Sequence, residues 1–161
     1  MTAATLEIVA PTGEPTIITR RVIKAPPALL WDVWTKPEHM RRWLGPKRLE
    51  MVECEVDLRV GGSYRFVHRA PDGQEFAFHG VYREIDEPHR LVSTFVFEPW
   101  PDHEAVDTLT FEEVHGGTLV TTSSRHSSIE ARDGHLAGGM EGGMTEGYER
   151  LDALVAALQS A

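Results

Sequence analysis

A few side chains in this sequence are spaced for acid–base or anion chemistry. His68 alternates in step with Tyr64 and Phe66, which puts all three on one face of a strand. An imidazole titrates near neutral pH, so on an inward face His68 can act as a general base or a polar anchor. Thr121, Ser123 and Arg125 share the parity of Leu119. If that face is inward, the hydroxyls can bond a ligand's polar end and the guanidinium can hold a carboxylate. Tyr148 or Arg125 could complete an acid–base pair with His68. The same residues also have bland readings: a rim histidine, and a Thr/Ser-rich strand that is simply half exposed. His79 is opposite in parity to Phe78 and is expected to face solvent.

Other chemistries find no pattern here. The eight histidines are scattered, with no His-Glu-x-x-His and no paired cysteines, so no metal is expected. His103, Glu104 and Asp107 lie close together in a proline-flanked stretch and read as a chance cluster. There is no Gly-x-Ser-x-Gly elbow. Gly138-Gly139 and Gly142-Gly143 do not form a dinucleotide fingerprint, because no strand immediately precedes them. No cofactor is expected. Cys54 is the only cysteine and sits in an alternating segment, as a buried structural thiol would.

What the sequence does offer is an apolar lining and a helix with a gap in it. Trp34 and Trp43 come from two short helices, and Phe66, Phe78, Phe95, Phe97 and Phe111 from strands. The stretch Gly138 to Leu158 reads as one helix at 100° per residue. Met140, Met144, Leu151, Leu154, Val155 and Leu158 share its apolar side, and Tyr148 adds a ring. Gly147 falls inside that stripe and Gly143 on its edge. Each mid-helix glycine costs about 1 kcal/mol relative to alanine. Close backbone packing can offset that cost, and so can room for a guest, which such a pocket would surround with apolar groups and a few polar points. On the second reading, Gly147→Leu fills the groove and lowers ligand affinity without unfolding the chain.

The elements that would position these residues follow from period and punctuation. Residues 1–15 read as a flexible arm, with Leu6 to Val9 as a short edge strand, and a single domain occupies residues 16–161. Thr16 to Lys24 is β-rich, and short helices follow at Ala28 to Thr35 and Glu38 to Leu44. The period then switches to two through strands at Glu50–Leu58, Tyr64–Arg69, Glu75–Ile85, Arg90–Glu98, Ala105–Val114 and Thr118–His126. Gly116-Gly117 is a hairpin signal. Ser127 to His135 reads as a polar link into the long helix. Segregated strands and helices imply an α+β fold. The expected form is a curved antiparallel sheet of six to seven strands wrapped around the C-terminal helix, with two short helices after the first strand.

Charge and composition exclude several partners. The net charge of −9 disfavours nucleic acid and an anionic membrane surface. No apolar run approaches the roughly 20 residues of a spanning helix, and the first residues lack a basic leader, so a cytoplasmic location is expected.

Particular stretches carry a family resemblance. Arg21-Val22-Ile23-Lys24-Ala25-Pro26 is followed by Leu30-Trp31, Val33-Trp34-Thr35 and Pro37-Glu38-His39-Met40, leading to Trp43 and Gly45-Pro46. Asp57-Leu58-Arg59-Val60-Gly61-Gly62-Ser63-Tyr64 comes next, then Asp72-Gly73, Gly80-Val81 and Pro88-His89-Arg90-Leu91-Val92. Together these resemble the START-like helix-grip superfamily (SRPBCC), in the branch related to the activator of the heat-shock protein 90 ATPase. Gly147-Tyr148 sits where that family usually has Gly-Trp. The resemblance implies a helix-grip fold and, by analogy, a small hydrophobic or amphipathic ligand, including lipids, between sheet and helix. It also admits two alternatives: a polyketide cyclase- or hydrolase-like enzyme using the same cavity, and a co-chaperone-like activator of a heat-shock ATPase. Fold alone does not choose among them. A non-catalytic binding module is the reading carried forward, with a homodimer as a further expectation.

Overall fold

A computed structural model describes residues 5–160 of the chain. Strands β1 (Glu7–Val9) and β2 (Thr16–Ile23) lead into helices α1 (Pro27–Thr35) and α2 (Pro37–Trp43). Six strands follow: β3 (Glu50–Val56), β4 (Ser63–Arg69), β5 (Glu75–Asp86), β6 (Arg90–Phe97), β7 (Ala105–Val114) and β8 (Gly117–Arg125). Helices α3 (Ile129–Ala137) and α4 (Met140–Ser160) complete the chain. All strand pairs are antiparallel, in the order β1-β2-β8-β7-β6-β5-β4-β3. The α+β expectation holds, but the sheet has eight strands, where six to seven were expected.

Two local differences have physical causes. The segment read as a polar link contains α3, which starts where the Ser128 hydroxyl accepts the Ala131 N–H at 3.0 Å. Arg132 on α3 is buried, and its guanidinium donates to the carbonyls of Pro11, Glu14 and Thr16. A long-range anchor of this kind makes a helix from a stretch with little apolar periodicity. It also ties down the segment read as a loose arm, whose β1 pairs with β2. Residues 1–4 lie outside the described residues. The β7–β8 hairpin loop is His115-Gly116, because Val114 pairs with Gly117.

The core lies at one end of the concave face. Ile23, Leu30, Val33, Leu109, Phe111 and Val120 pack against Leu151, Leu154 and Val155 of α4. A smaller cluster of Met40, Met51 and Cys54 sits under α2, and burial pushes the Cys54 thiol up. Two contacts fix α4 in place. Arg21, 7% exposed, makes a bidentate pair with Asp152 at 2.9 and 2.6 Å, with its guanidinium 5.5 Å from the centre of the Tyr148 ring. Gly147 lies against the α2–β3 loop, where an added Cβ would stand 3.3 Å from the Trp43 carbonyl oxygen and 3.5 Å from the Gly45 nitrogen.

Gly147 therefore answers the glycine question in favour of close packing. Both neighbours are backbone atoms and cannot rotate away. A larger side chain there would lift α4 from the loop, so Gly147→Leu does not fill a groove as expected. Gly142 differs, since nothing lies within 4 Å of its added Cβ. Urea denaturation is expected to separate the two positions. Gly142→Ala should raise stability by up to about 1 kcal/mol, and Gly147→Leu should lower it by about 1–3 kcal/mol.

Candidate functional site

The concave face divides into a sealed half and an open half. Strand register aligns Cys54, Phe66, Phe78 and Phe97 across β3 to β6 on that face. The Phe78 ring centre lies 5.2 Å from Phe66, 5.3 Å from Phe95 and 5.1 Å from Phe97. All four phenylalanines are only half-buried, as are Met140, Gly143 and Met144 on the first turns of α4. These rings leave a partly exposed apolar face on β4–β6, a candidate groove beside the start of α4, where Met144 packs against the main cluster.

Four of the expected lining residues belong to the sealed half instead. Trp34 is edge-on to Trp43 at 4.6 Å, to Phe111 at 5.4 Å and to Tyr148 at 6.0 Å. Trp43 donates its indole N–H to the Val33 carbonyl at 2.8 Å. Trp43, Phe111 and Tyr148 are buried in the main cluster, with Trp34 half-buried against it. They offer a packed wall, and Gly147 a helix seat, with little surface for a guest.

The β8 expectation is corrected. Phe111 pairs with Val120, and Val120 is buried in the core, so the even-numbered residues of β8 point inward. Thr121, Ser123 and Arg125 therefore lie on the convex face. Thr122 and Ser124 take the inner positions, with Thr122 hydroxyl-bonded to Thr19. The proposed carboxylate anchor, Arg125, does not reach the groove.

His68 does face inward, beside Phe66 at 5.4 Å and Phe78 at 6.1 Å. It is 4% exposed, and its Nδ1 has no hydrogen-bond partner among the described residues. Gly45, with φ +94°, backs the ring so closely that an added Cβ would stand 2.8 Å from Cε1. Burial, with help from the Arg150 charge, pushes the imidazole down to about 4. It is neutral at pH 7 and a weak base. Burial likewise holds the Tyr148 phenol protonated, far above its usual range. No hydrogen bond or ring contact joins His68 to Tyr148 or Arg125 among the described residues. His79 faces out, 3.0 Å from Glu98.

Sequence reasoning missed Asp107. It belongs to β7 and shares the face of Leu109 and Phe111, in register with Ser93 on β6 and Ser124 on β8. Its Oδ1 accepts the Ser124 hydroxyl at 2.6 Å. Burial raises the carboxyl to about 6, against the lowering effect of that bond. Nearby, the Tyr64 hydroxyl donates to the Thr94 carbonyl at 2.6 Å. The alternation Ala105-Asp107-Leu109-Phe111 carried the signal.

Two recesses lie elsewhere. One of about 360 Å³ is bordered by Trp31, Lys36, Leu58 and Glu87, and one of about 660 Å³ surrounds the His115-Gly116 turn. Neither holds a run of aromatic rings, so the groove is the better candidate. No helix among the described residues is long and apolar enough to cross a membrane.

An open antiparallel sheet gripping a C-terminal helix, with two short helices after the second strand, is the START-like helix-grip fold. Within that class, the chain belongs to the family described as Activator of Hsp90 ATPase homolog 1-like protein, whose model matches residues 24–156. No curated protein matches it. Among solved structures, a protein from Rhodobacter sphaeroides is similar at 30% identity and TM-score 0.88, covering 94% of this chain and 99% of that one. One from Mycobacterium smegmatis is similar at 26% identity and TM-score 0.83, covering 94% and 98%. An AHSA1-like protein from Aeromonas hydrophila shares the fold at 24% identity and TM-score 0.71, covering 86% and 93%.

The two inward groups titrate with opposite effects on stability. Asp107 is raised in the fold from 3.8 to about 6, so the native state holds its proton longer and stability falls as pH rises through that window. His68 is lowered from 6.5 to about 4, so stability falls as pH drops between those values. Asp107→Asn is expected to gain stability on the wild type between about pH 4 and 6, with a constant margin above. Urea midpoints measured from pH 3.5 to 8 check this. A margin independent of pH would contradict the burial of the carboxyl.

Proposed function

We propose that this protein is a non-catalytic binding module for a small amphipathic molecule. The molecule lies between the β4–β6 floor and the first turns of α4. The run of half-buried rings Phe66, Phe78, Phe95 and Phe97 carries this reading. Aromatic rings that a core has not sealed, placed beside a few polar groups, are the makings of a ligand pocket. Covering them stabilises a complex by about 25 cal/mol for each Å² of apolar surface removed from water. A cyclase or hydrolase would need ionisable groups that converge, and His68, Tyr148 and Arg125 do not. The lining found here favours binding alone over catalysis through those three residues.

The test is a fluorescence titration with N-phenyl-1-naphthylamine, an apolar dye that brightens away from water. The wild type is expected to bind it at one site. Phe78→Ala, with an unchanged circular dichroism spectrum, is expected to weaken binding by about tenfold, or about 1.4 kcal/mol. Equal affinity in the two proteins would remove the groove from consideration. Native mass spectrometry of freshly purified protein would reveal any retained natural ligand.

A further inference from the structure

The open groove has a charged group on its floor and no opposite charge to match it. Asp107 faces the concave side as a diagonal neighbour of Phe95, because Ser93 pairs with Asp107 and Phe95 with Ala105. Among the described residues, its one hydrogen bond comes from Ser124. The residue as a whole is half-buried, and burial of its carboxyl raises the pKa to about 6.

Four arginines around this face are engaged elsewhere or turned away. Arg21 is paired with Asp152. Arg132 donates to three backbone carbonyls and to Asp133. Arg150 donates to the Gly45 carbonyl. Arg125 lies on the convex face. His126 is pushed down to about 4 by burial and by its neighbours His135 and Arg132. His135 sits edge-on to Phe95 at 6.3 Å, and desolvation of its ring lowers it too. Both imidazoles are neutral above pH 7. The other polar groups near the floor favour a donor as guest. The Tyr64 hydroxyl has spent its proton on the Thr94 carbonyl and presents lone pairs, and Ser93 stands beside Asp107 in register.

The geometry points to a groove that selects a protonated amine on an apolar body, the ammonium meeting the Asp107 carboxylate while the body covers Phe78 and Phe95. The inference rests on the binding reading above and names the ligand class. A half-buried carboxylate without a counter-ion is held at a cost that an incoming ammonium relieves. The phenyl faces add cation–π attraction for the same guest. A carboxylate-ended guest, such as a fatty acid, meets like charge, while the guanidinium donors of Arg21, Arg132 and Arg150 are engaged elsewhere.

Three probes of one shape test this: naphthalen-1-ylmethylamine, naphthalen-1-ylmethanol and 1-naphthoic acid, titrated by calorimetry at pH 7.5. In the wild type the amine is expected to bind about tenfold more tightly than the alcohol, and the acid more weakly than either. In Asp107→Asn the amine should fall to within about twofold of the alcohol, whose own affinity stays put. The wild-type ranking needs no variant, so the test survives a substitution that fails to fold. An amine no tighter than the alcohol, or a preference that persists without the carboxylate, overturns the charge assignment and leaves the groove standing. Failure of all three probes to bind overturns the groove and, with it, this inference.

Discussion

The pairing of Arg21 with Asp152 decides where α4 crosses the sheet. The guanidinium is buried beneath the helix and donates two hydrogen bonds to one carboxylate. A buried guanidinium without its partner is strongly unfavourable, so the helix cannot slide or rotate without losing this pair. One turn earlier, Gly147 meets the loop after α2 backbone to backbone. These two contacts lie in the second and third quarters of α4. The apolar residues from Leu151 onward are thereby pressed into the sheet, and the first turns are left to bridge it.

That placement explains why the concave face has two characters. Where α1, α2 and the later turns of α4 converge, Trp31, Leu30, Val33 and Leu151 are almost wholly buried. Where α3 and the start of α4 pass overhead, the phenylalanines of β4 to β6 keep part of their surface. Aromatic side chains bring large apolar area, and leaving several unsealed gives up stability that a fuller core would supply. The polar groups follow the same division. His68 is wedged beside Gly45 and kept neutral, while Asp107 lies under the open half with a single hydroxyl for company.

The strands were legible wherever apolar and polar residues alternate. Tyr64, Phe66 and His68 show their common face in the sequence itself, and the register confirms it. β8 is different. Leu119 and Val120 are both apolar, and Thr121-Thr122-Ser123-Ser124 is polar at every position, so no contrast marks the inner face. Only the pairing of Val120 with Phe111 decides it. A helical glycine is similarly ambiguous in one dimension, because a close backbone approach and a cavity call for the same residue. α3 was hidden because its anchor, Arg132, acts on carbonyls more than a hundred residues away. Asp107 was visible in principle, but proximity to His103 and Glu104 drew the reading toward the loop and away from the strand.

The glycines at the start of α4 have a consequence for how anything leaves or enters. Among the described residues, a Cβ added at Gly142 would find no packing neighbour within 4 Å, and one at Gly143 would find the Pro46 side chain at 3.9 Å. Helical turns with low propensity and few packed neighbours open more readily than the rest of a fold. The roof of the groove is therefore its weakest masonry, while the anchored portion beyond Gly147 holds the sheet in shape. On the proposed binding reading, exchange of a guest would need only the fraying of a turn or two, and its speed would be set by local helix chemistry and not by the stability of the whole molecule.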